Sequence, residues 1–270
     1  MMTDLRQFAG LTLRRTLRTR DRFFIVRDKY LSHAPKAVVL VYHRVAHLAS
    51  DPLFLAVRPE TFESHVRALK ERFEIVSAQE LNSRVKNHAL KGDELVITFD
   101  DGYKDNLTAA LPVAEKYQIP ITIFITTGIF DSGSPFSWDD IYGNNVGTYL
   151  NKEEVATLAR NPLITIGSHT VHHPRLRNLA REAQRSEIGG AKNTLESVTS
   201  KPVQFFAYPF GGHLDINSAS KKAARETGHE AAFTTVERAV GHGSPLFSLP
   251  RINIREMSAE KLLEKIRRFK

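Results

Sequence analysis

The chain contains no cysteine, so disulfides and thiolate metal sites are both excluded, and any metal must be held by His, Asp or Glu. Long apolar runs are also missing. No stretch approaches the ~20 apolar residues of a membrane-spanning helix. The first 30 residues lack the uninterrupted apolar core of ~7–15 residues that a secretory signal needs; their longest run is Phe23-Phe24-Ile25-Val26. These absences predict a cytoplasmic protein. Acidic residues are scarce at the start: residues 1–30 hold eight Arg and Lys against three Asp, which is +5 of the formal net charge of +8. The remainder is close to neutral. Tryptophan occurs once, at Trp138.

What is present is ordinary for a globular protein. The 270 residues are 41% hydrophobic and 25% charged, enough for a sizeable core. Residues 1–31 read as a basic amphipathic helix, with Leu5, Phe8, Ala9, Leu13 and Leu17 on one side. Such a helix either lies on the inner face of a membrane as a peripheral contact or docks on its own domain. Few aromatics interleave with its arginines and no nucleic-acid module is recognisable, so no nucleic-acid partner is expected. Residues 32–35 read as a linker, which divides the chain into a basic segment 1–35 and a domain 36–270.

From residue 37 short β-branched runs alternate with helical patterns. The strands are expected at 37–42, 73–77, 94–99, 121–127, 163–167, 203–208, 231–236 and 246–254. The helices are expected at 59–71, 78–87, 106–117, 152–160, 180–198, 218–227 and 258–269. Strand-then-helix alternation predicts a parallel sheet with helices outside it, and this number of units suggests an α/β barrel of seven or eight strands. Residues 131–150, richer in Gly, Ser and Asn, interrupt the alternation and read as an inserted loop over the site. In such a barrel the site gathers at the C-terminal ends of the strands. Four unusual clusters fall there: Tyr42-His43, Asp100-Asp101, His169 and Tyr208-Pro209-Phe210-Gly211.

Two adjacent carboxylates ending an apolar strand repel each other and resist burial, and a cation would relieve both costs. Neighbouring side chains on a strand point opposite ways, so one Asp ligates while the other faces substrate, unless the turn at Gly102 redirects one. The alternative is a helix cap and a turn residue. His169 and His173 are four apart and converge on one ion if the chain turns there. Pro174 disfavours a continuing helix. His172 would point elsewhere. Two His and a carboxylate leave coordination positions open, as a catalytic site requires. By composition alone, Phe205-Phe206-Ala207-Tyr208-Pro209-Phe210-Gly211 reads as a buried strand and a Pro/Gly turn.

At these residues the chain resembles the polysaccharide deacetylase family, the catalytic domain of carbohydrate esterase family four. Thr-Phe-Asp-Asp-Gly at 98–102, Ser-His-Thr-Val-His-His-Pro at 168–174 and Ala-Tyr-Pro-Phe-Gly at 207–211 correspond to its first three motifs, in order. The resemblance covers roughly residues 37–255. It implies the family's irregular (β/α) barrel and Asp101, His169 and His173 as ligands of a divalent metal, usually Zn²⁺. It also implies Asp100 as the general base and a groove wall at Tyr208, Pro209 and Phe210, with the Phe210 N–H on the oxyanion. Two departures stand out. Many members carry Arg at the position of Ala207, paired with the catalytic aspartate; Arg251, in Leu249-Pro250-Arg251, is expected to replace it, against the alternative of a surface arginine. The late Leu-x-x-His motif, which supplies the general acid, is absent. His43 is the candidate replacement, against a structural histidine. Trp138 either stacks on a sugar or anchors its loop.

The resulting expectation is a metal-dependent hydrolase that removes N-acetyl groups from an amino sugar in a glycan, oligosaccharide or lipid-linked saccharide. Hydrolysis of another carbon–nitrogen bond, as in deformylation or cyclic-ureide opening, is the alternative on the same fold. A non-catalytic saccharide-binding domain is the third reading.

Overall fold

The computed structural model describes residues 34–132, 136, 138 and 148–270. The basic helix expected over 1–31 lies outside the described residues, as does most of the inserted loop. Residues Lys36–Lys270 form one compact unit. Its elements, in order, are β1 (Lys36–Tyr42), β2 (Arg44–Val45), β3 (Ala56–Val57), α1 (Pro59–Lys70), β4 (Glu74–Ile75), α2 (Ala78–Lys86), β5 (Glu94–Phe99), α3 (Leu111–Tyr117), β6 (Ile121–Ile125), α4 (Ile129–Ser132), α5 (Lys152–Arg160), β7 (Ile164–Ser168), α6 (Arg181–Thr199), β8 (Phe205–Ala207), α7 (Ser218–Glu226), β9 (Ala231–Phe233), β10 (Val240–Gly241), β11 (Ile252–Asn253) and α8 (Ala259–Arg267).

The central path runs β1-β5-β6-β7-β8-β9 with parallel neighbours throughout. A parallel bridge from Phe233 to Leu249 and the pairing of β11 with β1 join its two ends, which curls the sheet into the expected irregular barrel. Three short strands were not legible in the sequence: β2 and β3 pair with each other, and β10 pairs antiparallel with the start of β1. The run at 246–254 is also not one strand. Residues Leu246–Ser248 form a 3₁₀ turn, and only Ile252–Asn253 pair as β11. The helix expected from 106 starts as a π-helical turn, Asn106–Ala110, before α3.

Alternation along each strand separates two apolar layers. Val38, Leu40, Leu95, Ile97, Ile121, Ile123, Ile164 and Ile166 face outward and pack with α1, α3, α5 and α8. Ala37, Val39, Val96, Phe124, Phe205, Ala207, Phe233 and Leu249 fill the barrel interior. The helices are pinned by local caps. Asn151 and Glu154 make a capping box on α5, Asn217 and Ser220 make one on α7, and Ser77 and Ser258 cap α2 and α8.

Gly167 is where the interior is tightest. A Cβ there would sit 2.4 Å from the Phe124 ring, and Phe124 in turn packs against Phe233 and beneath the Arg251 guanidinium. Gly167→Ala is therefore expected to overpack the barrel and destabilise it by about 1–3 kcal/mol in denaturant unfolding. An unchanged midpoint would show that Phe124 has room to move.

Candidate active site

Strand parity brings the site together at the C-terminal rim. Val96, Thr98 and Asp100 share the inward face of β5 and its extension, where the Asp100 N–H still donates to Tyr42 O at 3.0 Å. Parity alone would turn Asp101 outward. Instead Asp101 takes a left-handed φ of +75°, and Gly102 follows at +84°. The redirection anticipated at Gly102 thus begins at Asp101 itself, and both aspartates reach the same cleft. Thr170 (+68°), His173 (+55°) and Phe210 (+60°) are left-handed as well. Of the eight non-glycine residues with positive φ among the described residues, these four cluster at the rim and a fifth, Phe54, lines the cleft. Such conformations cost of order 1 kcal/mol or more each and concentrate at functional sites.

The segment after β7 is not a helical turn. It is an irregular loop held by α6: Glu187 accepts from the Val171 and His172 N–H groups and from His172 Nδ1. His172 is consequently exposed and engaged elsewhere. His169 donates Nδ1–H to Ala207 O at 2.8 Å, which turns Nε2 toward Asp101. Burial lowers the imidazole pKa, but Asp100 and Asp101 outweigh it and raise it, so a metal would displace a proton from Nε2. His169 Nε2 and His173 Nε2 each lie 3.4 Å from Asp101 Oδ1, and the three ligand atoms lie within 4.8 Å of one another. All three residues are buried.

The donor set fits a divalent cation. Asp101 Oδ1 is buried without a hydrogen-bond partner, so the 3.4 Å contacts are not hydrogen bonds. Lone pairs converging on one point repel unless a cation sits between them. Tetrahedral coordination with bonds of about 2.0–2.1 Å requires ligand atoms roughly 3.3–3.4 Å apart, which is the separation of both Asp–His contacts. Burial drives His173 down to about 3, beyond what Asp101 restores, so its imidazole is neutral at pH 7 as a metal ligand must be. Burial pushes the Asp101 carboxyl up, but His169, His173 and His43 outweigh it and hold it well below the usual range.

Arg251 is fully buried and projects from the strand-like segment 249–253 on the same inward face as Leu249. The surface arginine considered from sequence is thereby excluded. Its guanidinium grips Asp100 with both forks, Nη1 to Oδ1 at 2.7 Å and Nη2 to Oδ2 at 2.6 Å, while Nε donates to Thr234 O. Burial raises the Asp100 carboxyl, but Arg251 and His169 outweigh it, so the carboxylate stays ionised.

These residues open into a cleft of about 510 Å³. His43 lines it at the end of β1, with its carbonyl tied to the Asn106 side chain. Phe210 also lines it, its N–H donating to no acceptor among the described residues. Trp138 also lines the cleft. One face of the indole stacks on Phe136 at 4.2 Å and the ring approaches His173 at 4.6 Å, so it both anchors its segment and borders the site. Tyr208 and Pro209 do not line the cleft. The Tyr208 ring is buried against Phe206 and its hydroxyl donates to Phe247 O, because it belongs to the outward parity of β8. Both act through the turn that presents Phe210. Sequence reasoning missed Phe54 and Arg255, which also line the cleft. Neither sits in a motif or a periodic run that would have marked it.

A barrel that gathers two carboxylates, three imidazoles and a buried guanidinium at one strand-end cleft is built as a hydrolase. The polysaccharide deacetylase family model matches residues 87–232, more than half of the chain, and the chain belongs to that family. By class it is a carbohydrate deacetylase, a hydrolase of carbon–nitrogen bonds other than peptide bonds. Bacillus subtilis (strain 168) YxkH, provisionally named a polysaccharide deacetylase, is 27% identical over 223 residues, 81% of this chain and 71% of that protein. A poly-β-1,6-N-acetyl-D-glucosamine N-deacetylase of Staphylococcus aureus is 24% identical over 250 residues, 85% of this chain and 82% of that protein. The chain spans only 36% of the length of the Escherichia coli (strain K12) enzyme of that name. Among solved structures, the Streptococcus pyogenes deacetylase PplD in complex with acetate superposes with a TM-score of 0.72 at 24% identity, over 86% of this chain and 98% of that one.

Proposed function

We propose that this protein removes N-acetyl groups from an amino sugar within a glycan, oligosaccharide or lipid-linked saccharide, using a divalent metal, Zn²⁺ by donor type, held by Asp101, His169 and His173. The observation that carries the reading is the unpartnered, buried Asp101 Oδ1 facing two imidazole nitrogens at 3.4 Å. The S. aureus and E. coli relatives, named for N-deacetylation of a poly-N-acetylglucosamine, support the choice of bond and substrate class.

Each side chain then has a defined task. A bound divalent ion supplies Lewis-acid polarisation of the acetamide carbonyl and acidifies water in the site. Asp100, kept ionised by Arg251, takes the proton from the attacking water. The free Phe210 N–H is positioned to donate to the oxyanion. His43, which lines the same cleft, protonates the leaving amine in place of the missing late histidine. His43→Ala is expected to lower kcat for acetate release by roughly 10²-fold while zinc binding is retained; full turnover in that variant would remove the assignment. Deformylation is the competing chemistry, and a formate assay run beside the acetate assay on N-acetylglucosamine oligomers separates them.

The basic segment 1–31 is proposed to hold the protein at an anionic membrane surface on the cytoplasmic side. The placement of charge in the sequence supports this. Sedimentation with anionic liposomes should be strong for the full chain and lost on removing residues 1–31; equal sedimentation would count against it.

A further inference from the structure

We infer that Phe54 and Arg255 form an outer subsite that receives an anionic group, a phosphate or a carboxylate, carried by the saccharide beside its N-acetylated unit. The inference rests on the deacetylase reading for the identity of the cleft and adds the charge of the substrate.

Two independent features converge at this mouth. The first is Phe54. It is an exposed aromatic, 58% accessible, in a left-handed conformation with φ +57°. A bulky residue does not adopt that backbone without being held there. Asp51 holds it: its carboxylate accepts from the Leu55 and Ala56 N–H groups, and its carbonyl accepts from the Phe54 N–H. The turn therefore spends conformational strain on presenting an apolar ring to water at the edge of the active cleft. Core packing gives no reason for this, whereas a saccharide face does.

The second feature is the charge next to that ring. The Arg255 guanidinium lies 5.1 Å over Phe54, lines the same cleft and has no carboxylate partner among the described residues. Its neighbour in sequence, Glu256, would be the natural partner. Glu256 is turned away and consumed by Arg58, through both the side chain and the N–H, and by Thr61. A second arginine–phenylalanine pair shows the contrast. Arg175 stacks on Phe210 at 4.0 Å in the same manner, but it is neutralised by Asp215. Stacking engages the face of a guanidinium and leaves its N–H edge free, and that edge matches the paired oxygens of phosphate or carboxylate. An unpaired guanidinium beside an aromatic ledge thus reads a sugar bearing negative charge. A neutral homopolymer would leave it unused.

Trp138, the only tryptophan, borders the same cleft, so binding can be read from its fluorescence without any turnover. The probes are the neutral N-acetylglucosamine trimer, the same trimer with a reducing-end phosphate, and an oligomer alternating N-acetylglucosamine with glucuronic acid. At low ionic strength the full chain should bind at least one anionic probe about ten-fold more tightly than the neutral trimer. The advantage should shrink in about 0.5 M salt. Arg255→Gln should abolish it, Arg255→Lys should keep part of it, and Phe54→Ala should weaken all three probes. Equal binding of charged and neutral probes by the wild type would overturn the proposal. So would an advantage that persists in Arg255→Gln, because the anion would then be held elsewhere, for instance by the metal. The two anionic arms tell phosphate from carboxylate. Acetate release is measured separately, so its absence would count against the deacetylase reading and leave the binding result standing.

Discussion

Arg251→Ala is expected to lower stability by about 3–5 kcal/mol and turnover by roughly 10²-fold or more, with zinc stoichiometry unchanged in the molecules that remain folded. The stability loss follows from burial. Arg251 is fully buried, and its removal leaves the Asp100 carboxylate unpaired inside the barrel with an open space under it. It also removes the donors on Thr234 O and Thr98 Oγ1. The loss of turnover follows from protonation. Without the guanidinium, the burial that pushes the Asp100 carboxyl up is opposed less, and the base is lost when it binds a proton. Stability and catalysis can be separated. Asp100→Asn combined with Arg251→Met removes both charges and should recover most of the stability while turnover stays low. Arg251→Lys keeps the charge but not the two-pronged grip, so it should fall between wild type and Ala. Wild-type turnover in Arg251→Ala would show that Asp100 needs no buried cation.

Asp101→Asn should abolish the stabilisation that zinc gives the wild type. Burial pushes the Asp101 carboxyl up, but His169, His173 and His43 hold it below the usual range, so the ionised form contributes stability at pH 7 and the neutral amide should leave the metal-free protein less stable. With zinc present the gap should widen. The wild type gains stability with ligand concentration, and the variant, whose affinity should fall by more than roughly 10²-fold, gains little. Melting curves of both proteins with and without zinc check this. An equal gain with zinc in both proteins would mean that Asp101 is not a ligand.

Much of this site is legible in the sequence, for physical reasons that differ by residue. Asp100, Asp101, His169 and His173 were legible because adjacent carboxylates and spaced imidazoles at strand ends are costly unless something uses them. The barrel was legible because its parallel strands are buried on both faces and read as short apolar runs divided by amphipathic helices. Arg251 was only half legible. Its parity with Leu249 marks the inward face, but a charged residue after Pro250 looks like surface until the Asp100 pair is seen. Tyr208 was misread because the motif places the whole string at a wall, whereas alternation sends its ring into the layer behind and leaves only Phe210 exposed. Phe54 and Arg255 were not legible at all. Their meeting depends on a turn fixed by Asp51 and on the diversion of Glu256 to Arg58, and neither leaves a periodic trace.

The most direct measurement is acetate release from N-acetylglucosamine oligomers by the purified full chain, first stripped with a chelator and then titrated with zinc. Activity should be absent in the stripped protein and should return in proportion to zinc up to one ion per chain, with no recovery in His173→Ala. Undiminished acetate release by protein shown to be free of divalent metal would contradict the account.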